Sequence, residues 1–146
     1  MNIKREGEYK VELRENMRGG EGSVQITNFT EKEALCDKAR LFGKITLQPG
    51  CSIGYHVHEG DCEIFHFVKG SATYNDNGTE ITVKAGDTTV TPSGSGHSVR
   101  NDTNEPCEMI ALIVYAYDVT YNKWSRSSLG RVPFRSRIYH RHPFGQ

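Results

Sequence analysis

Apolar and polar positions alternate in short runs along the first 117 residues, and turn residues separate the runs at regular intervals. Residues 9–14, YKVELR, set Tyr9, Val11 and Leu13 on one face of a strand. A second strand follows the glycine-rich segment 17–22, over residues 23–27. Thr30-Glu31-Lys32-Glu33 has the form of a capping box and predicts one short helical turn. Further strands are predicted over 39–48, 51–58, 63–69, 71–75, 79–84, 88–92, 98–101 and 108–117. Pro49-Gly50, Asp76-Asn77-Gly78 and Ala85-Gly86-Asp87 supply the intervening turns. About ten short strands, almost no helix and regular turns predict an all-β sandwich or barrel.

Composition narrows this picture modestly. A chain of 146 residues is sized for one domain with a single modest core. No run approaches the roughly 18 apolar residues of a membrane span, and the N-terminus MNIKREGEYK has no apolar signal region. Four cysteines are scattered without a CxxC pair, which suits reduced thiols in a cytoplasmic protein. The formal net charge of zero conceals an asymmetry. Residues 1–117 hold 17 acids against 12 Lys and Arg, whereas residues 118–146 hold only Asp118 against six bases. An acidic body predicts no nucleic-acid partner, and the lack of a long apolar run predicts no membrane partner.

Chemistry concentrates in GYHVHEGDCEIFHFVKG, residues 54–70. His56 and His58 are two apart in a strand and therefore point to one face. A turn at Glu59-Gly60-Asp61 reverses the chain, so Glu63 starts the next strand opposite them. His97 begins a later strand. By the same alternation Phe65 and Phe67 share the face of Glu63, and Ser52 shares the face of the histidines. Ser52, Phe65 and Phe67 are thus the expected pocket residues. His66, Cys62 and Cys51 fall on opposite faces and are expected to be bystanders, and Glu59 and Asp61 to be solvated turn residues.

Two glycine-framed patterns organise these residues. The first runs Gly50, His56-Val57-His58, Glu63, Gly70, and the second Gly86, Pro92, Gly94, His97, Asn101. Their spacing resembles the two signature motifs of the cupin superfamily, over roughly residues 41–115. The resemblance implies a double-stranded β-helix, or jelly-roll barrel, with a metal inside it. Carried over position by position, it implies His56, His58, Glu63 and His97 as metal ligands. Such a donor set suits one divalent transition metal such as Mn, Fe, Ni, Zn or Cu, and leaves coordination positions open.

The resemblance implies a metalloenzyme acting on a small polar or carboxylated molecule. Dioxygenase, decarboxylase, isomerase and lyase chemistries all lie within the family's range. Glu63, or a coordinated water, is then the expected base. The alternative is a non-catalytic metal- or ligand-sensing module. The resemblance also implies a homodimer, because in small cupins an N-terminal strand often joins the partner's sheet.

The expected organisation is an N-terminal strand arm and helical turn over 1–38, the barrel over 39–117, and a basic extension over 118–146. The extension reads either as an addition foreign to the fold or as a native segment whose aromatic residues pack over a sheet or a partner.

Overall fold

The computed structural model describes residues 3–116. The basic extension, 118–146, and with it both readings of that segment, lies outside the described residues. Ten strands form two antiparallel sheets, and no α-helix occurs among the described residues. They are β1 (Lys10–Glu15), β2 (Ser23–Asn28), β3 (Ala39–Leu47), β4 (Ser52–Val57) and β5 (Asp61–Lys69), then β6 (Ser71–Asp76), β7 (Thr79–Lys84), β8 (Thr88–Thr91), β9 (Gly96–Arg100) and β10 (Cys107–Tyr115). The larger sheet has the order β1-β2-β3-β10-β5-β8, and the smaller β4-β9-β6-β7. The N-terminal hairpin β1–β2 extends the sheet of its own chain, through pairs such as Ile26 with Ile45.

Strand alternation explains where the core sits. Val24, Ile26, Ile45, Leu47, Phe65, Phe67 and Met109 point inward from the larger sheet, each at most 2% exposed. Ile53, Ala72, Tyr74, Val83 and Val99 meet them from the smaller one. The expected capping box does not form. The second of two short 3-10 turns, Lys32–Leu35, is capped by Glu31 in an extended conformation without a side-chain bond. The Thr30 hydroxyl instead donates to the Glu31 carbonyl at 3.4 Å. The turn starts one residue later than a Thr30 cap requires, and the Ala34 N–H already bonds the Glu31 carbonyl at 3.2 Å.

Two features of the frame bear on function. The first is a bulge in β4. Ile53 pairs with Val99 and His56 with His97, so one strand carries an extra residue between the two pairs. The second lies on the outer face of the larger sheet. Phe42, Leu112, Ile64 and Val90 stand in register across β3, β10, β5 and β8. Phe42 and Val90 are 41% and 49% exposed, so this apolar row faces outward.

Asn101 ties the end of β9 to the end of β3. It is fully buried; its amide nitrogen donates to the carbonyls of Leu47 and Glu105, both at 2.9 Å. Its side-chain oxygen accepts from the Thr103 backbone N–H at 3.0 Å and the Thr103 hydroxyl at 2.8 Å. Asn101→Ala removes all four bonds and leaves their partners short of a mate. It should lower stability by about 2–3 kcal/mol in urea unfolding, whereas an unchanged midpoint would contradict this account.

Candidate metal centre

The two sheets bring four donors to one point between them. His56 comes from β4, His58 follows it, Glu63 lies on β5 and His97 on β9. His56 and His97 are direct cross-strand partners, and Glu63 pairs with Thr91 of β8 and Ile113 of β10. One ligand atom from each of the four residues lies within 4.8 Å of the other three. His58 Nε2 is 3.1 Å from His97 Nε2 and 3.1 Å from Glu63 Oε2. His97 Nε2 is 2.9 Å from Glu63 Oε2 and 3.2 Å from His56 Nε2. His56 Nε2 lies 3.9 Å from Glu63 Oε2. Metal–ligand bonds of about 2.1 Å set neighbouring donors about 3.0–3.4 Å apart, so the donor set fits a metal ion.

The far side of each imidazole fixes its orientation. His56 Nδ1 donates to the Gly54 carbonyl at 2.9 Å, within the bulge. His58 Nδ1 donates to Asp61 Oδ1 at 2.6 Å. His97 Nδ1 lies 3.0 Å from the Tyr74 hydroxyl, which also bonds Thr91 Oγ1 at 2.7 Å. With the Nδ1 atoms so engaged, the Nε2 lone pairs turn inward as a cation requires. Phe65 stacks on His97 with ring centroids 5.3 Å apart and planes 27° apart.

Electrostatics are tightly linked here. Burial pushes the Glu63 carboxyl upward, but the adjoining His56, His58 and His97 rings outweigh it and hold the group far below the usual carboxylate range. Burial likewise opposes charge on His58, yet Glu63 and Asp61 raise it above the ordinary imidazole value. For His97 burial wins and the pKa falls, offset only in part by Glu63. A neutral imidazole beside an ionised carboxylate is a sound divalent-metal donor pair.

Three sequence expectations change in the structure. Ser52 does not share the wall with the histidines. Its hydroxyl accepts from the Glu21 backbone N–H at 2.8 Å, and Ile53 takes the inward place. The extra residue in β4 reverses the alternation between them. Phe65 and Phe67 point inward as their parity requires, but they are 1% and 0% exposed within the core, not on the cavity surface. Asp61 is no solvated turn residue. β5 begins at Asp61, which therefore shares the face of Glu63 and is only 7% exposed. Arg40 Nε donates to its other oxygen at 2.6 Å, completing a line from the surface through Asp61 to His58. The parity that placed Glu63 could have found it, had the strand been started two residues earlier.

The bystanders are elsewhere. His66 is exposed and bonds Thr88 Oγ1 at 2.9 Å. Cys62 is buried, and burial, then Asp61 and Glu63, push its thiol upward. Burial takes the Cys107 thiol up to about 11.

A cavity of about 540 Å³ opens over the cluster and reaches His56, His58 and Glu63. Ile26, Ile45, Ile53 and Ile113, each 4% exposed or less, form its inner wall with Leu41 and Met17. Charged side chains of β1, the 3-10 turns and β3 form its rim.

Loss of the Asp61 charge weakens the bond that orients the His58 ring without removing a donor. Asp61→Asn is expected to weaken metal affinity about 10–100-fold in a chelator competition, with the fold intact by circular dichroism. Equal affinity in the variant and the parent would show that Asp61 does not orient the ligand.

Comparison with known proteins accords with this geometry. The model of the cupin domain matches residues 43–115. The oxalate-binding protein of Thermotoga maritima is 42% identical over 112 residues, which is 77% of this chain and 93% of that protein. The crystal structure of a predicted oxalate decarboxylase from Thermotoga maritima superposes with a TM-score of 0.75 at 41% identity, covering 79% of this chain and all of that one. The polyketide cyclase RemF from Streptomyces resistomycificus shares the fold, with a TM-score of 0.63 at 18% identity over 79% of each chain. Matched by family model, by a close relative and by its paired sheets around three histidines and a glutamate, the chain belongs to the cupin family.

Proposed function

We propose that the chain holds one divalent transition metal through His56, His58, Glu63 and His97, and binds a small carboxylate at that metal. The convergence of three imidazole nitrogens and one carboxylate oxygen within 4.8 Å carries the reading. A metal so held supplies open positions that a carboxylate can occupy and a positive charge that polarises it. The names of the relatives, an oxalate-binding protein and a predicted oxalate decarboxylase, support a small acid as ligand.

The residues around the cluster serve binding and orientation. Asp61 and Tyr74 hold the rings of His58 and His97, and the isoleucine wall excludes water from one side. Glu63 is the base of an enzymatic reading, since its carboxylate reaches the cavity from the cluster itself. The non-catalytic reading has its own support. Glu12 on the rim is engaged by Lys10 at 3.3 Å and Arg14 at 2.9 Å, and Asp61 by Arg40 and His58, so neither stands ready as an acid or base. Four free cysteines support a reducing, cytoplasmic setting. No helix among the described residues is long and apolar enough to cross a membrane.

Metal analysis and oxalate titration test the reading together. Glu63→Ala and His97→Ala should each abolish stoichiometric metal and, with it, oxalate binding by calorimetry. Retention of metal in both variants would remove the site. Carbon dioxide or formate released from oxalate by the loaded protein favours the enzyme, and binding without product favours the module.

The outward row Phe42, Leu112, Ile64 and Val90 supports a homodimer through this face of the larger sheet. Light scattering should give a dimer at micromolar concentration and a monomer for the double variant Phe42→Lys, Val90→Lys. A monomeric parent protein would exclude it.

A further inference from the structure

The cavity is larger and more divided than oxalate requires. Its about 540 Å³ falls within the range, about 300–1,000 Å³, of sites that hold drug-sized ligands. The donors His56, His58 and Glu63 share the cavity with a wall of Ile26, Ile45, Ile53 and Ile113. Oxalate has no carbon beyond its two carboxyl groups, so it has nothing apolar to set against that wall. Buried aliphatic side chains lining an open cavity are matched by a ligand with a hydrocarbon body.

A free cation on the rim would select a second charge on the ligand. Lys10 and Arg14 are both engaged by Glu12, and Arg40 by Asp61. Lys32 on the second 3-10 turn also lines the cavity without an ion pair among the described residues, but it does not border the donors. Arg18 has no hydrogen bond or ion pair among the described residues. It lines the main cavity and also the adjoining hollow formed with His56, His58 and Asp61.

The backbone around Arg18 is constrained to present it there. Arg18 lies inside the first 3-10 turn, Met17–Gly19, at φ 58° and ψ 27°. Residues with a Cβ seldom hold this left-handed conformation unless their surroundings impose it. The surroundings are β4, the strand that carries His56. A Cβ at Gly54 would collide with the Arg18 carbonyl oxygen, and one at Gly20 with that of Ser52. Glu21 N–H further binds Ser52 Oγ at 2.8 Å. Two glycines thus let the turn lie directly on the strand of the metal centre.

We propose that the ligand of this site is an elongated acid with two anionic ends and an apolar body, one end at the His56–His58–Glu63–His97 cluster and the other on Arg18. The apolar body packs on the isoleucine wall of the same cavity. This rests on the reading of the cluster as a metal-bound carboxylate site, and it changes the ligand from oxalate to a longer dicarboxylate. Arg18 is then the residue that distinguishes diacids from monoacids, through a charge-assisted pair with the far carboxylate.

The test is calorimetry on the full chain loaded with manganese(II), and in parallel with zinc, using oxalate, succinate, glutarate, adipate and the monoacid hexanoate. Affinity should rise by about fourfold for each methylene that reaches the wall, so that glutarate or adipate binds more tightly than oxalate. Arg18→Gly suits the left-handed backbone and should keep the melting temperature. It should weaken the best diacid about tenfold or more and leave hexanoate unchanged. Arg18→Lys should restore part of the loss. Oxalate binding more tightly than every longer diacid would overturn the proposal while leaving the metal-bound carboxylate reading intact. So would an equal loss of hexanoate and diacid in Arg18→Gly, since a turn that only supports the strand affects both. Binding of none of these acids to the loaded protein would overturn both readings.

Discussion

Everything around the centre depends on keeping three imidazole nitrogens and one carboxylate pointed at a common spot inside the protein. Bare nitrogen lone pairs about 3 Å apart repel unless a proton or a cation lies between them. The fold sustains the arrangement by holding each ring from behind. Gly54 holds His56, Asp61 holds His58 and Tyr74 borders His97, each through Nδ1. These partners come from separate strands, so the geometry belongs to the closed pair of sheets and not to any one segment. Burial raises the electrostatic stakes, because a misdirected donor in a low-dielectric site has no water to turn to.

The two sheets have divided their labour. The smaller contributes His56 on β4 and His97 on β9, directly paired, with Tyr74 on neighbouring β6 behind them. The larger contributes Glu63 and, together with Ile53 of β4, the aliphatic wall of the cavity, and β1 and β3 bring charge to its mouth. The result is a cavity with donors at its base, hydrocarbon along one side and ions at the rim. An acid with a hydrocarbon body can satisfy all three regions, whereas a simple ion meets only the first. Outside the cavity, the apolar row on the reverse of the larger sheet leaves a second surface that the monomer does not bury.

Sequence alternation succeeded where strands are regular and failed where they are not. Glu63, Phe65 and Phe67 lie inward and His66 outward, as a period of two requires on β5. Ser52 broke the rule because β4 bulges between Ile53 and His56, and one extra residue exchanges the faces. Asp61 was misread because the strand begins where a turn was expected. The capping box failed for a related reason: its residues fit a turn that starts one residue earlier than the one the chain forms. In each case the error arose at an end or an interruption of an element, where local pattern carries least information.

The amino-acid sequence by itself determined the all-β class and the strand count, because these rest on period and spacing within short segments, and its resemblance to the cupin motifs pointed to the four residues that the structure brings together. Fixed glycines and prolines punctuate those segments, and alternation then assigns a face to each residue between them. Only the tertiary structure decided which other residues meet the donors. The Arg40–Asp61–His58 line, the exchange of Ser52 for Ile53, the wall built from β2, β3, β4 and β10, and the lodging of Arg18 against β4 all join residues far apart in the chain. Their encounter depends on strand register, on one bulge and on how two sheets close. None of these is encoded by the hydrophobic pattern of a single segment.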